Sequence, residues 1–189
     1  MTGRVDRLRE HYVFDIQWTA FPLHPDTPLE GLTLEKLFEG RGINVHETMD
    51  RLRRVAGEEG LPFGRREKTY DSRLAQELGK WAESRDKGEL FHKAAFHAYF
   101  ADGTNIARIP NLINLAVKAG LSGQEAKEVL EKRIFKDAVD SDWARSRKMN
   151  IIAVPTFMMS SNRLVGGQPY EVLERFIMKN HVMKRPLHG

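Results

Sequence analysis

The spacing of apolar and polar positions changes several times along the chain, and each change marks an element. Val5, Leu8 and Tyr12 recur at spacings of three and four, which predicts an amphipathic helix at the start. Phe14–Phe21 alternates apolar with polar and runs into Pro22, the pattern of a strand, and a proline-punctuated loop follows through Pro28. From about Thr33 to Asn150 every pattern is helical. Val45, Met49, Leu52 and Ala56 form one stripe, and Leu74, Leu78 and Trp81 another. Phe91 to Phe100 is apolar nearly all round, which predicts a helix buried within a bundle, and Leu112, Leu115, Ala116 and Ala119 follow. Ser122 stands three residues before Glu125, the spacing of a capping box. Asp140 or Ser141 is expected to cap a helix running through Trp143.

The last forty residues are different. In Ile151-Ile-Ala-Val-Pro-Thr-Phe-Met-Met159 an apolar run is broken by proline, which offers no N–H to a ladder, so the strand must begin at Pro155. It is entered through a tight X–Pro turn to which the cis form is open. Ser160-Ser-Asn162 predicts a turn and Arg163–Val165 a short strand. Pro169 suits the first turn of a final helix whose Val172, Leu173, Phe176 and Ile177 face the core, and 181–189 is expected to fray.

Composition narrows the classes. A 189-residue chain with 41% apolar content can bury one core, with room for a subdomain. The net charge of +4 raises the question of nucleic acid. The basic clusters Arg51/Arg53/Arg54 and Arg65/Arg66/Lys68 are short, interleaved with Glu58, Glu59 and Glu67, and lack an aromatic platform, so a solvated surface is expected and no nucleic-acid partner. No run reaches the roughly 18 apolar residues of a membrane span, and no signal peptide is visible, so no membrane partner and a cytoplasmic location are expected. The absence of cysteine excludes disulfides, a Cys-ligated zinc and thiol chemistry by this polypeptide.

The proline-led strand, second strand and helix together resemble the second half of a thioredoxin fold. Ile16-Gln-Trp-Thr-Ala-Phe-Pro-Leu-His-Pro25 resembles the second strand and following loop of DsbA-like proteins. The match is closest to the FrnE-type subfamily, which is related to 2-hydroxychromene-2-carboxylate isomerases and kappa-class glutathione transferases. Tyr70–Ala82 and Phe91–Phe100 are similar to that subfamily's helical insertion, Val154-Pro-Thr-Phe157 to its cis-proline loop, and Gly166-Gly-Gln-Pro169 to the turn before its last helix. The resemblance implies an α/β fold: a thioredoxin-like core with its N-terminal strand absent and a large all-helical insertion. The core is expected over 1–32 and 150–180, the insertion over 33–149, and a tail over 181–189.

One departure matters. In the family a strand leads into a Cys-x-x-Cys that opens the first helix, with a glycine about three residues after the second cysteine. Aligned on Gly3, that motif falls just before Met1. The expectation is that this polypeptide starts too late and that the natural protein carries the missing strand and motif. Losing three or four buried apolar side chains would forfeit about 5–10 kcal/mol, at ~1.5–3 each, against a whole-domain stability of roughly 5–15.

Candidate chemistry follows from these matches. The resemblance implies that Val154 and Pro155 present backbone to an extended peptide or glutathione, and that Phe21 borders the groove. Thr2 is a weak candidate to stand in as serine does in the isomerase and transferase relatives. Glu89-x-x-His92 has a di-iron spacing but lacks a second copy, and His92 and His97 diverge on a helix, so no metal is expected. Gly166-Gly167 reads as turn glycine rather than a phosphate loop. The resemblance implies a thiol–disulfide oxidoreductase whose redox motif is missing here. This chain is then redox-inactive, with no catalytic residue and no tightly bound cofactor, and its partner is an extended peptide or protein thiol. A glutathione-dependent isomerase or transferase and a non-catalytic peptide-binding module remain alternatives, and a homodimer completing the open sheet is allowed.

Overall fold

The computed structural model describes residues 2–186, and the chain divides into two compact units, Met1–Leu23 with Ala144–Gly189, and His24–Trp143. In chain order the elements are α1 (Thr2–His11), β1 (Leu32–Thr33), α2 (Leu34–Leu37), α3 (Val45–Glu58), β2 (Lys68–Thr69), α4 (Arg73–Ser84), α5 (Gly88–Phe100), α6 (Ile109–Lys118), α7 (Gly123–Glu131), α8 (Lys136–Lys148), β3 (Thr156–Met159), β4 (Asn162–Val165) and α9 (Tyr170–Lys179).

In the first unit, β3 and β4 form an antiparallel hairpin in which Met159 faces Asn162 and Thr156 faces Val165. Ser160, at φ 52°, turns the chain back through a tight loop. Alternation sends Phe157, Met159 and Leu164 onto one face, where they pack against buried Leu8 and Tyr12 beside α9's Tyr170, Leu173 and Ile177. Met158 and Val165, on the opposite face, are exposed.

Two expectations fail here. Phe14–Phe21 forms no strand. Alternation supplies a face, but a strand exists only through pairing, and among the described residues no ladder runs along this segment. The tail, within residues 181–186, is not frayed. Val13 N–H donates to Met183 O at 2.9 Å, Arg185 N–H to His11 O at 2.8 Å and Arg185 Nε to Arg9 O at 2.7 Å. The last carbonyls of α1 need donors that the helix cannot supply, and the tail provides them.

The second unit is a helical bundle. Leu78, Trp81, Phe91, Leu112, Leu115 and Leu130 form its core. Ser122 accepts from Glu125 N–H at 3.3 Å, as its spacing predicts, but the Glu125 carboxylate pairs with Arg85 at 2.8 Å. Asp140 and Ser141 lie inside α8 rather than at its cap: Ser141 Oγ donates to Asp137 O, and Asp140 binds Arg73 and Lys136, each at 2.7 Å. The block expected to be wholly helical contains a two-residue ladder, Leu32 with Thr69 and Thr33 with Lys68, too short to leave an alternating pattern. α5 buries Phe91, Ala95 and Ala98 on one side only, with Leu90 exposed. α3 has a stripe but no buried residue. No helix among the described residues is long and apolar enough to cross a membrane.

The bundle's one deeply buried carboxylate among the described residues is Glu77, 1% exposed. Arg73 Nε reaches it at 2.5 Å, and Arg133 clamps both oxygens at 2.7 and 2.6 Å. Burial alone would push the Glu77 carboxyl up, but hydrogen bonds from Arg133 and Arg73 outweigh it and hold the group below the usual carboxylate range. Lys136 and then Arg73 hold Asp140 at about 2 against an ordinary 3.8.

Replacing Glu77 by alanine strands two guanidinium groups and is expected to cost about 3 kcal/mol in urea unfolding, toward the low end for a buried pair because Arg133 is part-exposed; a cost below about 0.5 kcal/mol would contradict the network's role. The unfolded chain takes up protons at the ordinary carboxylate values, so Glu77 contributes fully above pH 4.5 and loses its share as pH falls through its lowered folded value, while Asp140 contributes fully above pH 3.8 and loses that contribution as pH falls toward about 2. Acid unfolding of Asp140→Asn should be correspondingly shallower than that of the parent across that window.

Candidate functional site

The proline loop connects α8 to β3. Its Val154–Pro155 peptide bond is cis. Thr156 Oγ1 donates to Ala153 O at 2.7 Å, closing the chain around the proline, and Pro155 O accepts from Gly166 N–H at 2.8 Å. Val154 is 42% exposed and Ile152 88%, an apolar pair left in solvent beside a strand start.

Three hydrogen bonds tie this loop to the first turn of α1. Arg4 Nη1 donates to Gln168 O at 2.8 Å, Gln168 Nε2 donates to Val165 O at 2.7 Å, and Gly166 N–H reaches Pro155. Gly166 sits at φ 92°, a conformation that glycine adopts without the cost other residues bear. α1 therefore presents its N-terminal dipole end to the same neighbourhood as the proline loop. Arg4 and Gln168 are absent from the candidates read in the sequence. Gln168 follows the glycine pair and carried a weak signal as part of a turn; Arg4, one arginine among many on a polar helix face, carried none.

Val154 and Pro155 are adjacent by sequence and share the loop. Phe21 is half-buried at the end of the irregular 14–21 segment, where its carbonyl accepts from Leu23 N–H at 3.0 Å. The side chain of Thr2 lies outside the described residues. His92 Nε2 meets Glu83 at 3.0 Å, His97 Nδ1 meets Asp102 at 3.3 Å and Glu89 pairs with Lys93 at 2.9 Å, so the Glu-x-x-His residues engage separate partners. Among the described residues no group of three or more acidic or imidazole side chains is placed to hold a metal. The chain has no cysteine to place on the helix end.

Behind the site, one carboxylate gathers two phenols. Tyr12 Oη donates to Glu174 Oε1 at 2.9 Å and Tyr170 Oη to the same oxygen at 3.4 Å, while His11 Nδ1 lies 3.1 Å from Tyr170 Oη. Arg7 stacks over the Tyr170 ring at 3.9 Å. Burial, then the Glu174 hydrogen bond, pushes the Tyr12 phenol up; burial, then the Glu174 charge, does the same for Tyr170, against the pull of Arg7. This cluster fastens α1 to α9 and so fixes the direction of the helix that carries Arg4.

Comparison with known proteins bears on this arrangement. The model of a family described as DSBA-like thioredoxin domain matches residues 1–178. A probable DsbA oxidoreductase from Streptomyces coelicolor has a similar structure, with a TM-score of 0.78 at 23% identity, covering 88% of this chain and 75% of that one. A candidate protein disulfide isomerase from Nitrosomonas europaea is similar at a TM-score of 0.62 and 17% identity, covering 79% and 75%. At these identities the two structures show the fold alone. No curated protein matches the chain in sequence.

The phenol cluster makes an alkaline prediction. Tyr12 and Tyr170 hold their protons above the ordinary value of 10.0, so the unfolded chain releases them first. Their contribution to stability is complete below pH 10.0 and is lost as pH rises through the folded values. In an ultraviolet titration Glu174→Gln should bring phenolate absorbance in at lower pH; an unchanged curve would remove Glu174 from the account.

Proposed function

The chain belongs to the DsbA-like thioredoxin domain family, and from that membership we propose that it keeps the polypeptide-binding part of a thiol–disulfide oxidoreductase while performing no thiol–disulfide exchange itself. Exchange proceeds by attack of a thiolate on a disulfide sulfur, with the displaced sulfur leaving as a second thiolate. The protein must supply that nucleophile, and a chain with no cysteine supplies none. The helix end that would depress a thiol's pKa is present, as is the apolar loop beside it. What this arrangement can do is bind an extended, apolar segment by its backbone and side chains.

The observation that carries this reading is the pairing of a cysteine-free sequence with an exposed Val154 held next to the α1 turn by Arg4 and Gln168. The FrnE-type subfamily is our finer assignment, supported by Ile16–Pro25 and by the helical composition of 70–148. A glutathione-dependent reading would need a hydroxyl on the first turn to take the sulfur's place, and no described side chain supports that role.

In an insulin-reduction assay the chain should give no rate above the reductant alone; a clear rate would overturn the redox-inactive reading. A fluorescent extended peptide rich in apolar residues should bind saturably, and Val154→Asp should weaken it about tenfold, or ~1.4 kcal/mol. Equal affinity for the variant would place binding elsewhere. Saturable glutathione binding that Val154→Asp abolishes, with no peptide binding, would replace this reading by the glutathione-dependent one.

A further inference from the structure

Between Trp143 and Tyr170 the sequence holds four cations, Arg145, Arg147, Lys148 and Arg163, and no aspartate or glutamate. The fold gathers these cations around the proline loop. Arg145, Arg147 and Lys148 make up the exposed last turn of α8. Ile151 N–H donates to Ser146 O at 3.0 Å, so the loop leaves directly from that turn. Arg163, opposite Met158 in the ladder, places its guanidinium 3.4 Å from Met149 O and from Asn150 O. A cation thus joins the hairpin to the helix that feeds the loop, and exposed Ile152 and Val154 occupy the chain between them.

A helix C-terminus attracts positive charge because its last carbonyls lack donors. In α8 the backbone already meets that need: Met149 N–H donates to Arg145 O at 2.9 Å, and Asn150 N–H to Arg147 O at 3.0 Å. The three cations of the turn therefore have no capping task and, among the described residues, no carboxylate partner. Arg145 and Lys148, three residues apart, lie on one face and repel. The start of the same helix differs, since Lys136 meets Asp140 at 2.7 Å. In α5, likewise, Lys93 meets Glu89 at 2.9 Å. The unneutralised turn is the one that borders the loop.

We propose that the extended segment bound at Val154 is an acidic peptide. One apolar residue rests on Ile152 and Val154, and aspartate or glutamate flanking it faces the cations of α8's last turn and Arg163. The inference rests on the peptide-binding reading and names the substrate class for it. The chain from Lys148 to Val154 spans at most ~20 Å, and an extended peptide advances about 3.3 Å per residue, so carboxylates up to about six positions from the apolar residue fall within reach. A peptide fits better than a nucleic acid, because the cations surround two aliphatic side chains rather than an aromatic platform on which bases stack. Ion pairs at an exposed rim are weak singly; two or three together predict about a tenfold preference over a neutral peptide, screened out by salt.

Three labelled peptides that share one apolar centre and carry Asp/Glu, Asn/Gln or Lys flanks separate charge from binding as such. In fluorescence anisotropy at ~20 mM salt the acidic peptide should bind about tenfold tighter than the neutral one and the Lys peptide weakest, with the differences gone near ~0.5 M. That salt dependence reads the charge effect on the parent chain without any substitution. Arg147→Gln/Lys148→Gln should abolish the acidic preference and leave the neutral peptide's affinity unchanged. Lys127→Gln/Lys132→Gln removes the same charge from exposed positions on and next to α7 and should keep the preference. Equal affinity for all three peptides, or a preference that the α7 variant abolishes as fully, overturns the proposal and leaves peptide binding standing. Absence of binding by every peptide overturns both. A single-stranded oligonucleotide that binds as tightly as the acidic peptide, and loses its affinity in Arg147→Gln/Lys148→Gln, would assign the turn to nucleic acid and also overturn the proposal.

Discussion

The register of β3 on β4 is the constraint on which the rest of the first unit depends. Side chains in a strand alternate strictly, so a slip of β3 by one residue would turn Phe157 and Met159 to solvent and drive Met158 against Leu8 and Leu173. The turn at Ser160 fixes one end of the register and the Pro155–Gly166 hydrogen bond fixes the other. With that face set, α1 and α9 have an apolar surface to cover. The carboxylate of Glu174 between Tyr12 and Tyr170 then sets how the two helices meet. Arg4 reaches Gln168 only because α1 lies in that direction.

Fold and chemistry part company at this point. Family membership describes a scaffold, and function belongs to the groups grafted on it. Here the scaffold keeps a helix N-terminus and an exposed apolar loop, two features that elsewhere in thiol chemistry lower a pKa and hold a substrate. On the reading proposed above, neither forms or breaks a bond. The second unit contributes a different kind of rigidity, through Glu77 and its two arginines. That network anchors α4 to the α7–α8 junction, where Arg133 takes φ 52°.

Much of this was legible in the sequence, for identifiable reasons. Helices whose stripes pack, such as Leu78 with Trp81 or Leu173 with Ile177, declared themselves through spacing. The Pro155 strand and its turn declared themselves through proline and serine chemistry. What spacing could not show is pairing. Phe14–Phe21 has a strand's alternation and no ladder, while Leu32–Thr33 and Lys68–Thr69 have a ladder and no alternation. A stripe likewise guarantees amphipathicity rather than burial, as α3 shows. Long polar side chains were the other blind spot: Arg4, Gln168, Glu77 and Arg133 act through reach across the fold, and nothing local marks them.

Proton nuclear Overhauser contacts across the hairpin test the central claim most directly. In non-hydrogen-bonded antiparallel pairs the Cα atoms approach to about 4.5 Å and the Hα atoms face each other. The account requires strong Hα–Hα cross-peaks between Thr156 and Val165 and between Met158 and Arg163, together with contacts from the Arg4 side chain to Gln168. Cross-peaks shifted by one residue, or random-coil signals through 154–168, would contradict the register and with it the site.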